Sequence, residues 1–170
     1  MTAPAPTRCP PVTPLHVVPP LEEIDLAGAE RAAGDEGDDE LVLARAIPVQ
    51  SVCEHHMLPF LGTAHVGYLP GQRILGLSKL ARIVELFARR PQVQERLTTQ
   101  VADWLHSHLH PRGVGVVIQA EHLCITVRGV RAGGTSTITS TLLGTLREDP
   151  RSRAEFLALT TPTPAGGRHG

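Results

Sequence analysis

Four adjacent residues, Cys53-Glu54-His55-His56, combine side chains that often bind a transition metal. A Cys-x-x-His pair brings a thiolate and an imidazole together on a tight turn, and zinc accepts both as ligands. The only other cysteine in the part of the chain that we expect to be folded is Cys124, which we predict on a strand containing His122-Leu123-Cys124. Three protein ligands would leave one tetrahedral position for water, which is typical of a catalytic zinc. Zinc lowers the pKa of such a water to about 7.

The spacing alone leaves a second interpretation open for each of these residues. Cys53 and Cys124 can be small buried apolar side chains, with His55 and His56 as polar surface residues. His55 and His122 flank the predicted metal and can carry protons, because histidine titrates near neutral pH. A lone histidine on a strand can equally be a structural residue with satisfied hydrogen bonds.

Another group of polar residues lies at the predicted start of a helix. Gly76-Leu77-Ser78-Lys79, followed by Arg82, offers backbone N–H groups, a hydroxyl and two cations. Helix N-termini bind phosphate groups well, so this segment is a candidate phosphate site. Many helices begin with Ser and carry a solvated Lys, however, and the pattern is not specific by itself.

The elements that position these residues follow from the spacing of apolar side chains. Apolar runs at residues 41–49 and 65–69 are short and bounded by Gly and Pro, which predicts paired strands. From Leu77 the apolar period becomes helical, and Pro91 opens a second helix as its first-turn proline. Ser78 is predicted to cap the first helix. The apolar stripes are Leu80, Ile83, Val84 and Phe87 in the first helix, and Val93, Leu97, Val101 and Leu105 in the second.

The rest of the chain predicts strands and a short final helix. The strings VGVVIQA and HLCITVRGV are β-branched and alternate, which predicts a hairpin, and STITSTLLGTL predicts a last strand before a short helix at residues 153–159. This α+β order favours an antiparallel sheet with the two consecutive helices on one face. We expect a flexible leader rich in Pro, Ala and acidic residues at 1–39, a catalytic domain at 40–160 and a disordered tail at 161–170.

Composition excludes several classes of function. The chain has 16 Lys and Arg against 17 Asp and Glu, so no overall basic field favours nucleic acid or an acidic membrane surface. Its three cysteines are an odd number and lack the dense spacing of a secreted disulfide scaffold. No stretch approaches the roughly 20 apolar residues of a membrane span, and no signal peptide is visible. We therefore expect a soluble, cytoplasmic protein without a nucleic-acid or membrane partner.

Across about residues 39–159 the chain resembles the GTP cyclohydrolase I family, through the strings SVCEHHMLPF, GLSKLARIVELFARRPQVQERLT, AEHLCITVRGV, TSTITS and REDPRSRAEFLAL. The resemblance implies the tunnelling fold, in which antiparallel sheets from several subunits join into a barrel backed by helices. Such assemblies usually contain ten subunits and have active sites between them. It also implies zinc bound by Cys53, His56 and Cys124, and proton transfers by His55 and His122.

Further residues match the family's substrate-binding positions. Glu95, with Gln94 beside it, matches the carboxylate that anchors the guanine edge, although an exposed helix glutamate can also occur there without a ligand. The positions that match the triphosphate-binding set are Ser78, Lys79, Arg82 and Arg128.

The implied reaction is zinc-dependent hydrolytic opening of the guanine imidazole ring of GTP. It releases formate and leads to 7,8-dihydroneopterin triphosphate, which enters folate and pterin biosynthesis. A pathway-specific paralogue acting on GTP or a related guanine compound, in specialised pterin or deazapurine biosynthesis, is an alternative. A non-catalytic zinc-stabilised assembly protein is a second alternative, against which His55, His122 and Glu95 argue because it would need no proton carriers or guanine anchor.

Overall fold

The computed structural model describes residues 30–32, 40–128 and 133–161. The strands are β1 (Glu30–Ala32), β2 (Val42–Cys53), β3 (Pro59–Leu69), β4 (Arg73–Leu75), β5 (Pro91–Gln92), β6 (Gly113–His122) and β7 (Ser136–Gly144). The helices are α1 (Leu77–Ala88), α2 (Gln94–Leu109), α3 (Leu123–Thr126), α4 (Thr145–Glu148) and α5 (Pro150–Thr160). Apart from β1 and Thr161, the predicted leader and tail lie outside the described residues.

A five-stranded sheet in the order β5-β2-β3-β6-β7 forms the centre of the fold. Strands β2, β3, β6 and β7 pair in antiparallel fashion, whereas the two-residue β5 lies parallel to the end of β2. A separate pair of short antiparallel strands joins β1 to β4. The end of β2, the start of β3 and the end of β6 therefore meet at the same end of the sheet. Predicted site residues lie there.

Helices α1 and α2 cover one face of this sheet. The period of two in β3 directs Phe60, Val66 and Tyr68 to that face, and all three are fully buried. They pack against the apolar stripes of the helices, which include Leu80, Ile83, Val84, Phe87, Leu97, Val101 and Leu105. The predicted α+β architecture, with two consecutive helices on one face of an antiparallel sheet, is confirmed.

Helix α5 covers part of the opposite face through Phe156, which packs with Leu69, Val117 and Leu146. The ring of Phe156 lies directly over Gly115 in β6, where a Cβ atom would come within 2.6 Å of it. Only glycine permits this approach, so the second, smaller core depends on the absence of a side chain at this position of β6.

Four local predictions are wrong. The N-cap of α1 is Gly76 and no side chain caps this helix, so Ser78 is an ordinary residue of its first turn. Pro91 lies in β5 instead of opening α2, which begins at Gln94. Strand β1 shows that structure begins before residue 40. The predicted hairpin does not form, because its first string lies in β6, which runs on to His122, and its second string continues as the helical turn α3 with Cys124.

The early end of β6 has a physical reason. The pairing of β6 with β3 stops at the pair Phe60–His122, and its pairing with β7 stops at Glu121–Ser136. Beyond His122 none of the described strands lies beside the chain to satisfy its backbone groups, so it turns into α3 despite its β-branched residues. None of the helices in the described ranges has both the length and the apolar character that a membrane span requires.

Candidate metal and nucleotide site

The predicted Cys-x-x-His segment forms a closed turn between β2 and β3. The backbone N–H of Cys53 donates to the carbonyl of Leu58 at 2.9 Å, and that of Met57 donates to the carbonyl of Cys53 at 2.8 Å. Met57 takes a positive φ of 53°, which lets the chain reverse within these few residues. The turn brings the Cys53 Sγ atom to 3.7 Å from His56 Nδ1.

Cys124 completes a group of three metal-binding side chains. The ligand atoms of Cys53, His56 and Cys124 all lie within 4.8 Å of one another. Zinc bonds of about 2.0–2.3 Å in a tetrahedral arrangement place ligand atoms roughly 3.5–4 Å apart, so small adjustments would suffice. Two thiols and an imidazole are donors that zinc prefers. These residues can hold a metal ion, as the sequence predicts.

The electrostatics of the two thiols also favour a cation. Burial, followed by the facing Cys53 thiol, raises the pKa of Cys124 above its ordinary value, while the charge of Arg128 opposes the shift. Two thiolates this close repel each other, and a bound divalent cation would reverse the balance and keep both deprotonated.

Strand β5 supports the metal-binding turn from the side, and the sequence analysis missed it. The backbone N–H of Glu54 donates to the carbonyl of Gln92 at 3.0 Å. Gln92 is 1% exposed, and its side-chain amide donates to the carbonyl of Phe87 at 2.9 Å and to Gln100 Oε1 at 3.0 Å. The connection between α1 and α2 is thereby fixed against the turn.

An ion pair links the same turn to the first turn of α2. Arg96 donates two hydrogen bonds to the Glu54 carboxylate, at 2.6 and 3.1 Å. These bonds hold the pKa of Glu54 below its ordinary value. The two side chains are 50% and 33% exposed, so the pair contributes mainly to orientation.

His122, the last residue of β6, is held from two directions. Its ring stacks on Phe60, with centroids 4.7 Å apart and planes at 15°. Its Nε2 atom lies 2.7 Å from Gln94 Oε1. Burial lowers the pKa of His122, and the nearby Glu95 carboxylate partly offsets this effect.

A cavity of about 260 Å³ joins these groups. It is lined by Cys53, His55, His56, Gln92, Val93, Gln94, Glu95, His122, Cys124, Ile125 and Thr137. The predicted metal ligands, both predicted catalytic histidines and the Gln94-Glu95 pair therefore share one cavity. Ser78, Lys79 and Arg82 lie at the start of α1 and do not line it. Arg128 is exposed and close enough for its charge to act on Cys124.

Comparisons with known proteins give matches to one family. The family model for GTP cyclohydrolase I matches residues 21–161. A GTP cyclohydrolase 1 from Synechococcus sp. (strain JA-3-3Ab) is 58% identical over 125 residues, which cover 74% of this chain and 55% of that protein. The Homo sapiens protein of the same name is 55% identical over 125 residues, covering 74% and 50%. The chain spans about half the length of these two relatives.

Two further similarities differ in strength. A GTP cyclohydrolase 1 from Thermoanaerobacter pseudethanolicus is 49% identical over 154 residues, which cover 86% of this chain and 82% of that protein. The crystal structure of the archaeosine synthase QueF-Like in the apo form aligns with 61% of this chain and 93% of that chain, with a TM-score of 0.49 and 18% identity. The second likeness is too weak to carry an argument.

Proposed function

The chain belongs to the GTP cyclohydrolase I family, and from this membership we propose that it opens the imidazole ring of GTP by zinc-dependent hydrolysis. In this proposal the reaction releases formate and yields 7,8-dihydroneopterin triphosphate for folate and pterin biosynthesis. The observation that carries the proposal is that three metal-binding side chains meet in a cavity that two further histidines and Glu95 also line. Residues 40–160 would form the catalytic domain.

Each residue in the cavity has a role in this chemistry. Cys53, His56 and Cys124 would hold zinc, which when bound supplies a Lewis acid and lowers the pKa of water at its open position. Attack at C8 of the purine requires a proton at N7, and His55 and His122 are the groups in the cavity that can deliver and remove protons. The Glu95 carboxylate, exposed at the first turn of α2, would accept hydrogen bonds from the N–H groups of the guanine edge.

The triphosphate requires cations, and no lysine or arginine is among the described residues that line the cavity. Arg128 lies beside Cys124 and would contact the phosphates. Ser78, Lys79 and Arg82 stand at the start of α1, where backbone N–H groups favour anions, but they do not line the cavity of their own chain. We therefore place these three residues in the site of a neighbouring subunit.

A homo-oligomer, a ring of ten if it follows the family, would provide this arrangement. Strand β7 ends the five-stranded sheet, and among the described strands nothing pairs with its outer edge. Such an edge is suited to pairing with a further chain, which would extend the sheet toward a barrel. The free thiols of Cys53 and Cys124 agree with a reducing, cytoplasmic setting.

The test is to incubate the zinc-loaded protein separately with GTP, GDP and guanosine, and to follow formate release and pterin fluorescence after oxidation. We expect formate and pterin from GTP alone. The His122→Ala variant should retain zinc and lose formate release, whereas Cys124→Ser should lose both. Cys9→Ser is the matched control and should behave as the wild type.

Other outcomes would redirect the proposal. Formate from GDP or guanosine at a rate equal to that from GTP would indicate a related guanine substrate and a specialised pterin or deazapurine pathway. Absence of formate with every substrate, despite stoichiometric zinc, would refute the proposed hydrolysis and favour a non-catalytic zinc-stabilised assembly protein.

A further inference from the structure

Gln94 precedes Glu95, the residue predicted to bind the guanine edge. The side-chain amide of Gln94 makes all its hydrogen bonds within the protein. It is 1% exposed, at the first position of α2. Its Nε2 atom, which carries two hydrogens, donates to the backbone carbonyls of Ile118 and Thr137, both at 3.0 Å, and also lies 3.2 Å from Thr139 Oγ1. A backbone carbonyl can only accept, so the nitrogen of the amide must face these two strands. The orientation of the amide is thereby determined, and Oε1 points the other way.

The fixed amide determines the state of His122. Gln94 Oε1 lies 2.7 Å from His122 Nε2, and an amide oxygen can only accept. The hydrogen of the neutral imidazole must therefore sit on Nε2, which leaves Nδ1 as the atom with a free lone pair. Within the described ranges, Nδ1 has no hydrogen-bond partner in the protein.

Two contacts at right angles hold the ring of His122. The hydrogen bond to Gln94 fixes its rotation within the ring plane, and the stack on Phe60 at 4.7 Å fixes the plane itself. Phe60 is fully buried in β3, and Gln94 is attached to β6 and β7 through the hydrogen bonds of its amide nitrogen to Ile118 and Thr137. The ring is thus held in place by a residue of the sheet and by a residue bonded to the sheet. A group that transfers protons requires such a fixed position.

We propose that Gln94 is a positioning residue, which fixes the hydrogen of His122 on Nε2 and fixes the orientation of its ring beside the cavity. Gln94 does not contact the nucleotide through its side chain. This inference rests on the proposed function for its kinetic consequence, but the tautomer is a property of the protein alone.

The kinetic test is a double-mutant cycle between Gln94→Met and His122→Ala with GTP as substrate. Methionine preserves the length of the side chain and removes its hydrogen bonds. We expect Gln94→Met to lower kcat about 100-fold, as a misplaced catalytic group does, while KM stays within about threefold and zinc remains bound. In the His122→Ala background the same change should lower the small residual rate, followed at high enzyme concentration, by less than about threefold, because the residue that it positions is already absent.

A control separates positioning from general destabilisation. Thr160 is buried in α5 and donates to the carbonyl of Phe156 at 3.0 Å, outside the cavity. Thr160→Val also removes a buried hydrogen bond, and it should lower stability without changing kcat. A raised KM in Gln94→Met, or effects that multiply in the double mutant, would overturn the proposal in favour of direct substrate binding.

A spectroscopic test does not depend on turnover. Solid-state nitrogen NMR of histidine-labelled wild-type protein at pH 8, with His122→Ala to assign the signal, should show the Nε2–H tautomer alone. Gln94→Met should show a mixture or the opposite tautomer. If GTP is not turned over, the proposed function fails while this measurement still tests Gln94. The Nδ1–H tautomer in the wild type would overturn the inference.

Discussion

Replacing Gly62 by alanine is predicted to damage the candidate site from within the sheet. Gly62 of β3 pairs with Ala120 of β6, two residues from the pair formed by Phe60 and His122. A Cβ atom on Gly62 would lie 2.0 Å from the carbonyl oxygen of Gln119 and 2.6 Å from Ala120 Cα. Because both neighbours are backbone atoms, a rotamer change cannot relieve the clash.

The size of the displacement follows from these distances. Side-chain Cβ atoms essentially never approach another atom closer than 3.0 Å, so β3 and β6 must separate locally by about 1 Å. A shift of that size carried to His122 would lengthen its 2.7 Å bond to Gln94 beyond the roughly 3.2 Å range of good hydrogen bonds. We expect kcat/KM with GTP to fall about 100-fold. Overpacking of this kind also costs about 1–3 kcal/mol of unfolding free energy.

The measurements are GTP turnover and urea unfolding at one fixed protein concentration. Gly133→Ala is the matched control, since a Cβ at that position meets nothing within 4 Å. If Gly62→Ala matched this control in both measurements, the clash read from the backbone would be wrong. If only stability fell, the sheet would absorb the strain before it reached His122, and the proposed coupling between strand spacing and site geometry would be refuted.

Two further predictions concern α5. Phe156→Ala should lower the unfolding free energy by about 3–5 kcal/mol and leave zinc content unchanged, because the ring is fully buried away from the metal ligands. The control is Leu159→Ala, at an exposed position of the same helix. Equal urea midpoints for the two variants would contradict the prediction. The Asp149 carboxylate accepts hydrogen bonds from the backbone N–H and hydroxyl of Ser152, which hold its pKa below the ordinary 3.8. When the pKa of a carboxyl group is lower in the folded state than in the unfolded state, the group stabilises the folded protein at pH values above its unfolded pKa. This contribution is lost as the pH falls through the pKa of the folded state. The difference in thermal midpoint between wild type and Asp149→Asn should thus be constant near neutral pH and shrink below about pH 3.8, and a difference that persists unchanged into acid would contradict the assignment.

The sequence predicts the fold best where a local period determines the structure. The stripe from Leu80 to Phe87 specifies α1 because residues three and four apart must share one buried face. The alternation in β6 similarly specifies a strand. Local signals fail where a distant neighbour decides the structure. The β-branched residues around Cys124 favour a strand, but none of the described strands extends far enough to pair with it. Pro91 is a similar case, because its role depends on the end of β2.

The residues of the candidate site also differ in how well the sequence predicts them. Cys53, His56 and Cys124 can be found from residue type and spacing, since Cys53 and His56 form a Cys-x-x-His pair and Cys124 is the only other cysteine in residues 40–160. The ion pair between Glu54 and Arg96 has no local signature, because the two residues are 42 positions apart. The burial of Gln94 could have been predicted from its spacing. It precedes Leu97 by three positions and Val101 by seven, which places all three on the same face of α2. Its polar side chain instead suggested a residue that binds a ligand.

The sequence distance between the metal ligands has a consequence for how the protein matures. Cys124 reaches the turn at Cys53 only because β6 pairs with β3 along its whole length and β3 pairs with β2. Contacts between residues so far apart form late in folding, since the intervening chain must first lose its conformational freedom. If these residues bind zinc as proposed, the metal would not template this domain as it does a zinc finger. It would enter a sheet that is already assembled, and a cell short of zinc would accumulate a folded apoprotein that can be activated without refolding.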